Sequence, residues 1–192
     1  MTTTNSQAVL IAGRAYLYLA PTGTSEPTDI TTAMSAVDAA WVPAGLFTPD
    51  SLAFTTEPQF EEVNSHQSDF PVRRFQTSDS ATLAVDLQEW NADNIVAVFG
   101  GGSVSDEGGG VYRYNAPLLG TRTEVAAVVE VVDGTKNYRW VFPRCLQIEG
   151  VDVQLNKGQE ARLPLRLAVL GGDATSPFYF LTDDPAVNPF AS

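Results

Sequence analysis

Histidine and cysteine are nearly missing from this chain: His66 and Cys145 are single occurrences in 192 residues. A lone cysteine excludes an internal disulfide, so nothing in the sequence requires an oxidising compartment. A Cys-His pair or a Ser-His-Asp triad would have to recruit one of these two residues, and no Cys-x-x-Cys or His-Glu-x-x-His spacing offers zinc a site. Basic residues are scarce too, with 11 Lys and Arg against 23 Asp and Glu and a formal charge of −12. Such a surface repels polyanions and does not grip nucleic acid through its phosphates; its ordinary effect is solubility. No segment approaches the roughly 20 apolar residues of a membrane-spanning helix, and the start MTTTNSQAVLIAGR lacks the basic and apolar stretches of a secretory signal. The expectation is cytosolic synthesis and no membrane partner.

What is present is β-sheet. With 44% hydrophobic residues the chain can bury a core without staples, and one domain is the default reading. RAYLYLA from Arg14 to Ala20 alternates as a strand does, and PTGTSEPTD stops it. ITTAMSAVDAAW after Asp29 suits a short helix or an irregular stretch, and Trp41 to Phe47 and Ser51 to Thr56 suit short strands around a Thr-Pro-Asp turn. Leu83, Val85 and Leu87 point one way and Thr82, Ala84 and Asp86 the other. Asn91 is placed to cap a helix carrying Ala92, Ile95, Val96 and Phe99, which Gly100 ends. TEVAAVVEVV and NYRWVFP form a hairpin turning at Asp133 and Gly134. CLQIEGVDVQL and ARLPLRLAVL suggest a second, with Pro164 on its polar face marking an edge or a bulge. The fold class expected is mainly β, an antiparallel sandwich or partly closed barrel with one flanking α-helix.

Between the strands SLAFTTE and SATLAVDLQ lies PQFEEVNSHQSDFPVRRFQTSD, with neither helical nor strand period. A connection of that length inside a compact domain is normally functional or disordered. Phe54, Phe60, Phe70 and Phe75, which punctuate this segment and its borders, are not what a solvated linker needs. They imply that the segment lies against an apolar surface of this domain or of another subunit, with Arg73 and Arg74 able to pair with acids there.

Catalytic chemistry is hard to assemble from these residues. His66 sits in the long loop, away from the rigid scaffold a general base needs, and Cys145 reads as a small buried hydrophobe. Asp183 with Asp184, and Glu61 with Glu62, lack the alternating acidic pattern and central glycine of a calcium loop. GGGSVSDEGGG from Gly100 to Gly110 reads as a flexible connector: it follows a helix and carries Asp106 and Glu107, whereas a phosphate loop precedes a helix and carries Lys. The residues offer no cofactor and no metal site.

The order of elements resembles that of the major tail protein, or tail tube protein, of long non-contractile-tailed bacteriophages, particularly those of actinobacteria. The resemblance spans nearly the whole chain. It is carried most specifically by the Tyr16-Leu17-Tyr18 strand with its Ala20-Pro21 and Gly23-Thr24 turn, and by Gln76-Thr77-Ser78-Asp79 leading into the next strand. It implies a single domain over 1–192, with an N-terminal arm 1–12, an inter-strand loop 57–78 and a C-terminal extension 176–192. It also implies a structural virion protein with no catalytic residue, which stacks as hexameric rings into the tube through which the genome is ejected. The immunoglobulin-like domain that some members append is not expected here.

The partners implied are further copies of the chain and the tape measure, tail tip and tail terminator proteins, with DNA passing the lumen without specific binding. Its place is the virion tail, after synthesis in the host bacterial cytoplasm. Phe60, Glu61, Glu62, Phe70, Arg73 and Arg74 are then the candidate contact residues between subunits. Asp86, Glu130 and Asp152, on polar strand faces, are the candidate lumen acids, with Arg162 and Arg166 able to pair with them. Two other classes fit the composition: an enzyme, and a monomeric binding module such as a capsid decoration protein or a sugar-binding β-sandwich.

Overall fold

A computed structural model describes residues 9–171 and 176–187. Its strands, in chain order, are β1 (Arg14–Pro21), β2 (Val42–Pro43), β3 (Ala53–Val63), β4 (Arg73–Leu87), β5 (Ser103–Gly108), β6 (Val111–Asn115), β7 (Val125–Asp133), β8 (Lys136–Gln147), β9 (Leu163–Val169) and β10 (Tyr179–Thr182). The single helical turn α1 (Met34–Val37) precedes β2, and α2 (Ala92–Val98) follows β4. All pairings are antiparallel, in the order β2-β1-β7-β8-β9-β4-β3 with β10 added to β8, while β5 and β6 form a separate hairpin.

The alternation in β4 and β9 builds the main core. Leu83, Val85 and Leu87 stand opposite Leu167, Leu165 and Leu163, and all six are buried. Leu17, Ala127, Val129, Phe142 and Cys145 join them, and Ile95, Ala97 and Val98 of α2 close over the cluster. β7 is buried on both faces, which explains its continuous apolar run. Its reverse face puts Ala126 and Val128 with Ala20, Val141, Met34 and Trp41 in a smaller second core. The buried guanidinium of Arg139 holds the cover of that core in place, donating to the Asp29 carbonyl at 2.7 Å, the Thr32 carbonyl at 2.8 Å and Glu130 at 2.8 Å.

The sheet is rolled, and residues 42–48 strap its ends together without closing a barrel. Val42 and Pro43 pair with Leu19 and Tyr18, and the Ala44 N–H donates to the Leu17 carbonyl at 2.9 Å. A few residues on, Phe47 bridges Leu87, and the Thr48 N–H donates to the Asp86 carbonyl at 2.9 Å. The run read as a strand from Trp41 to Phe47 is this strap, with only two residues in regular pairing.

Several expectations hold. The β7–β8 hairpin turns at Gly134, Asn91 caps α2 by accepting from the Asn94 N–H at 2.8 Å, and Gly100 follows the helix end. The most buried residues of α2 are Asn94 and Val98 rather than the four apolar positions named from the pattern. The C-terminal extension docks on its own domain from 178 to 187. Phe178 packs on Phe54 and Phe142, and β10 pairs with β8. Its last five residues, and residues 1–8 of the N-terminal arm, lie outside the described residues.

Three expectations are corrected. The loop assigned to 57–78 is mostly strand: β3 and β4 pair from Ala53↔Ala84 out to Val63↔Arg73, leaving a short connection. A period-two pattern marks a strand only when one face is buried, and here both faces are in solvent. The glycine-rich connector is the β5–β6 hairpin, turning at Gly109 and Gly110 and fastened to the segment that follows α2 by the Tyr114 hydroxyl, which donates to the Gly101 carbonyl at 2.8 Å.

The second hairpin forms only in part, because residues 148–162 do not continue β8. The Gln147 side chain accepts the Arg166 N–H at 2.7 Å, taking the donor a longer strand would use. The next β9 residue facing that side is Pro164, which has no N–H. Pro164 therefore sits where β9 has lost one neighbour, the edge environment its chemistry requires.

Candidate assembly surface

Beyond the core, β3 and β4 continue as a two-stranded arm. Residues 57–63 and 73–80 are exposed on both faces. At about 3.3 Å per residue, seven paired positions carry the tip roughly 20 Å from the body. A bulge between Gln59 and Phe60 leaves Thr77 as the extra residue. Such a bulge increases local twist.

Cross-strand partners share a face, so Phe60 lies with Gln76, and Glu62 with Arg74, which form an ion pair. Phe75 lies with Glu61, and Arg73 with Val63, on the opposite face. The structure thus brings together all six contact residues named from sequence: Phe60, Glu61, Glu62, Arg73 and Arg74 on the paired strands, and Phe70 in the tip.

Phe60 is 56% exposed and Phe70 80%. Val63, Val72 and Phe75 are also exposed there and belong to the same surface. Phe75 was legible as an aromatic of the polar run; Val63 and Val72 carried no signal. Phe54 parts from the group, its ring 5.1 Å from Phe142 and 4.8 Å from Phe178 in the core. An isolated two-stranded ribbon is at best marginally stable in water. Apolar side chains on both of its faces suit burial against another molecule. The outer edge of β3 is unpaired among the described residues; Pro58, the bulge and Glu57, Glu61 and Glu62 are features that guard such edges against indiscriminate pairing.

The sheet's outer surface carries the acids. Asp86 accepts from Arg166 at 2.7 Å, and Arg166 also donates to the Val85 carbonyl at 2.8 Å. Asp86 and Asp152 line one cleft of about 630 Å³ with Glu149, Glu160, Arg162 and Arg166. Arg162 pairs with Glu160 at 2.8 Å. Four carboxylates against two guanidinium groups leave this cleft acidic. Glu130 lies apart from it, bound to the buried Arg139 beneath residues 29–32.

The two residues on which a nucleophilic mechanism would depend lie apart. His66 is exposed in the arm tip, and Cys145 is fully buried, its thiol pushed up to about 12 by burial. A thiol with that value is protonated at neutral pH and a poor nucleophile.

Compared with known families, residues 2–192 match the family described as phage tail tube protein. The chain belongs to that family. No curated protein matches it. Membership makes this tail tube protein a structural component of the virion tail, one that assembles with copies of itself and with other tail proteins. Its exposed arm and guarded edge are surfaces of the kind that self-assembly uses.

Proposed function

We propose that this tail tube protein stacks as six-membered rings into the tube through which the phage genome is ejected, and that the β3–β4 arm joins neighbouring subunits. The observation that carries this reading is the arm itself, a ribbon solvated on both faces with Phe60, Phe70 and Phe75 exposed on it. Aromatic residues are enriched at the buried centres of protein interfaces, where a few of them supply most of the binding energy. The ring of six follows from the resemblance in element order. The tape measure, tail tip and terminator proteins are the further partners in this reading, and the host cytoplasm is where the subunit is made before it joins the virion.

The acidic cleft supports an electrostatic role for the bore. In this proposal Asp86 and Asp152 face the lumen and repel sliding DNA, so that the genome passes without being bound. Glu130 has a different part, holding Arg139 and the cover of the second core.

The test shortens the arm at a paired position. Replacing residues 59–78 by Asn-Gly joins Pro58 to Asp79, which are already opposite each other, through a two-residue turn. The expected product is a folded subunit with an unchanged core that forms no tubes in electron micrographs. Tubes of normal length from this variant would overturn the proposal.

A further inference from the structure

Antiparallel alternation assigns each strand terminus to one end of the sheet. β4 enters the body from the arm and ends at Leu87, so the C-terminal ends of β1 and β8 and the N-terminal ends of β7 and β9 share the rim remote from the arm. α2, which follows β4, sits on that rim. A groove of about 510 Å³ opens there between the end of β1 at Leu19 to Pro21, the start of β7 at Val125, and Val96 and Ala97 of α2. Its lining is mainly apolar, and Val42 and Val104 at its walls are 38% and 36% exposed. The ionisable residues lining it are both acids, Asp93 and Glu124. Glu124 is committed to Arg144 by two hydrogen bonds of 3.0 Å, whereas Asp93 makes no ion pair among the described residues.

The arm tip carries the complementary chemistry. Phe70 and Val72 are exposed, and Arg73 beside them, opposite Val63 in the register, makes no ion pair among the described residues. Head-to-tail stacking points the arm of one copy at the opposite rim of the next, and heterologous contacts of this type propagate along an axis. We propose that the groove between α2 and the ends of β1 and β7 is the receptor for the arm tip of a second copy, with Phe70 entering the groove and Arg73 reaching Asp93. This inference rests on the tube reading proposed above and adds the surface on which the arm lands. An aromatic side chain buries about 150–250 Å², which a groove of this size accommodates.

Two sets of variants of the full chain test the docking. Copies carrying Asp69→Cys, exposed at the arm tip beside an intact Phe70, are mixed with copies carrying Ala92→Cys at the groove and oxidised mildly; the buried Cys145 stays out of the reaction. A control mixture pairs Asp69→Cys with Thr135→Cys, in the exposed β7–β8 turn at the arm's own end of the sheet. The expected yield of mixed disulfide is at least tenfold above the control, and a yield no higher than the control overturns the docking.

The second set reverses the charges. Arg73→Glu raises the concentration needed for assembly about tenfold, and adding Asp93→Arg restores most of the loss; no recovery in the double variant counts against the pairing. Electron micrographs of wild-type samples separate the two readings. Tubes without the cross-link preference refute the groove alone, and absence of tubes refutes the assembly on which it depends.

Discussion

The side-chain amide of Asn94 donates to the carbonyl of Ala44 across 2.9 Å, out of reach of solvent. Its second hydrogen goes to the Glu89 carbonyl at 2.9 Å, so one residue of α2 ties the strap 42–48 to the connection that follows β4. Asn94→Ala leaves two carbonyls without their donor. A buried polar group that loses its partner costs about 1–3 kcal/mol. The expected loss in urea unfolding is therefore about 2–3 kcal/mol, and a loss below about 0.5 kcal/mol would show that the tie is dispensable.

Gly45, next to that tie, has φ 75°. A Cβ built there would lie 2.2 Å from the Glu89 carboxyl carbon, whose carboxylate accepts the Leu46 N–H at 2.8 Å. Gly45→Ala therefore combines a left-handed backbone, costing about 1–2 kcal/mol, with a steric conflict. Adding Glu89→Ala removes the conflict and leaves the backbone cost. The double variant is expected to be more stable than Gly45→Ala alone, by thermal unfolding; equal stability would remove the steric part of the argument.

The arm aromatics separate stability from assembly. Phe60→Ser, Phe70→Ser and Phe75→Ser remove side chains that stand in solvent in the isolated subunit. Surface substitutions of this kind change stability by about 0.5 kcal/mol or less. Sedimentation is expected to show unchanged monomers and much reduced polymer, and wild-type polymer in all three would argue against the arm as an interface.

Acid loosens the C-terminal extension. Asp184 accepts from the Tyr138 hydroxyl, the Ala186 N–H at 2.9 Å and Lys136 at 3.0 Å, and these hold its carboxyl down to about 2. The Thr32 N–H and hydroxyl hold Asp29 at about 2 as well. A depressed carboxylate stabilises the fold above its unfolded value of about 3.9 and loses that contribution as pH falls through the folded value. The thermal midpoint is expected to fall between about pH 4 and pH 2. Asp184→Asn lowers the midpoint at neutral pH and makes the acid limb shallower; a limb as steep as wild type would assign the effect to other carboxylates.

Asp152 tests the bore. It is exposed and makes no ion pair among the described residues, so Asp152→Lys reverses a charge without orphaning a partner. Asp86→Lys would instead face Arg166. Slower DNA ejection from well-formed tails is the expected outcome for Asp152→Lys, and unchanged ejection would count against electrostatic lubrication.

Local chemistry made much of the fold legible in advance. Alternation in 82–87 and 163–169, the Asp133-Gly134 turn and the Asn91 cap each depend on neighbours within a few residues, and all four stand where the sequence places them. The grouping of Phe60, Phe70 and Phe75 on one exposed segment was legible too, because aromatics in a polar run are conspicuous whatever the backbone does. Only the tertiary structure decided that 57–63 and 73–80 are strands, since a ribbon wet on both sides leaves no periodic trace. It also decided that Gln147 and Pro164 end the β8–β9 ladder, that Asp86 and Asp152 share a cleft while Glu130 serves Arg139, and that α2, β1 and β7 enclose a groove. Most of those outcomes join residues far apart in the chain, and their pairing is set by how the sheet rolls.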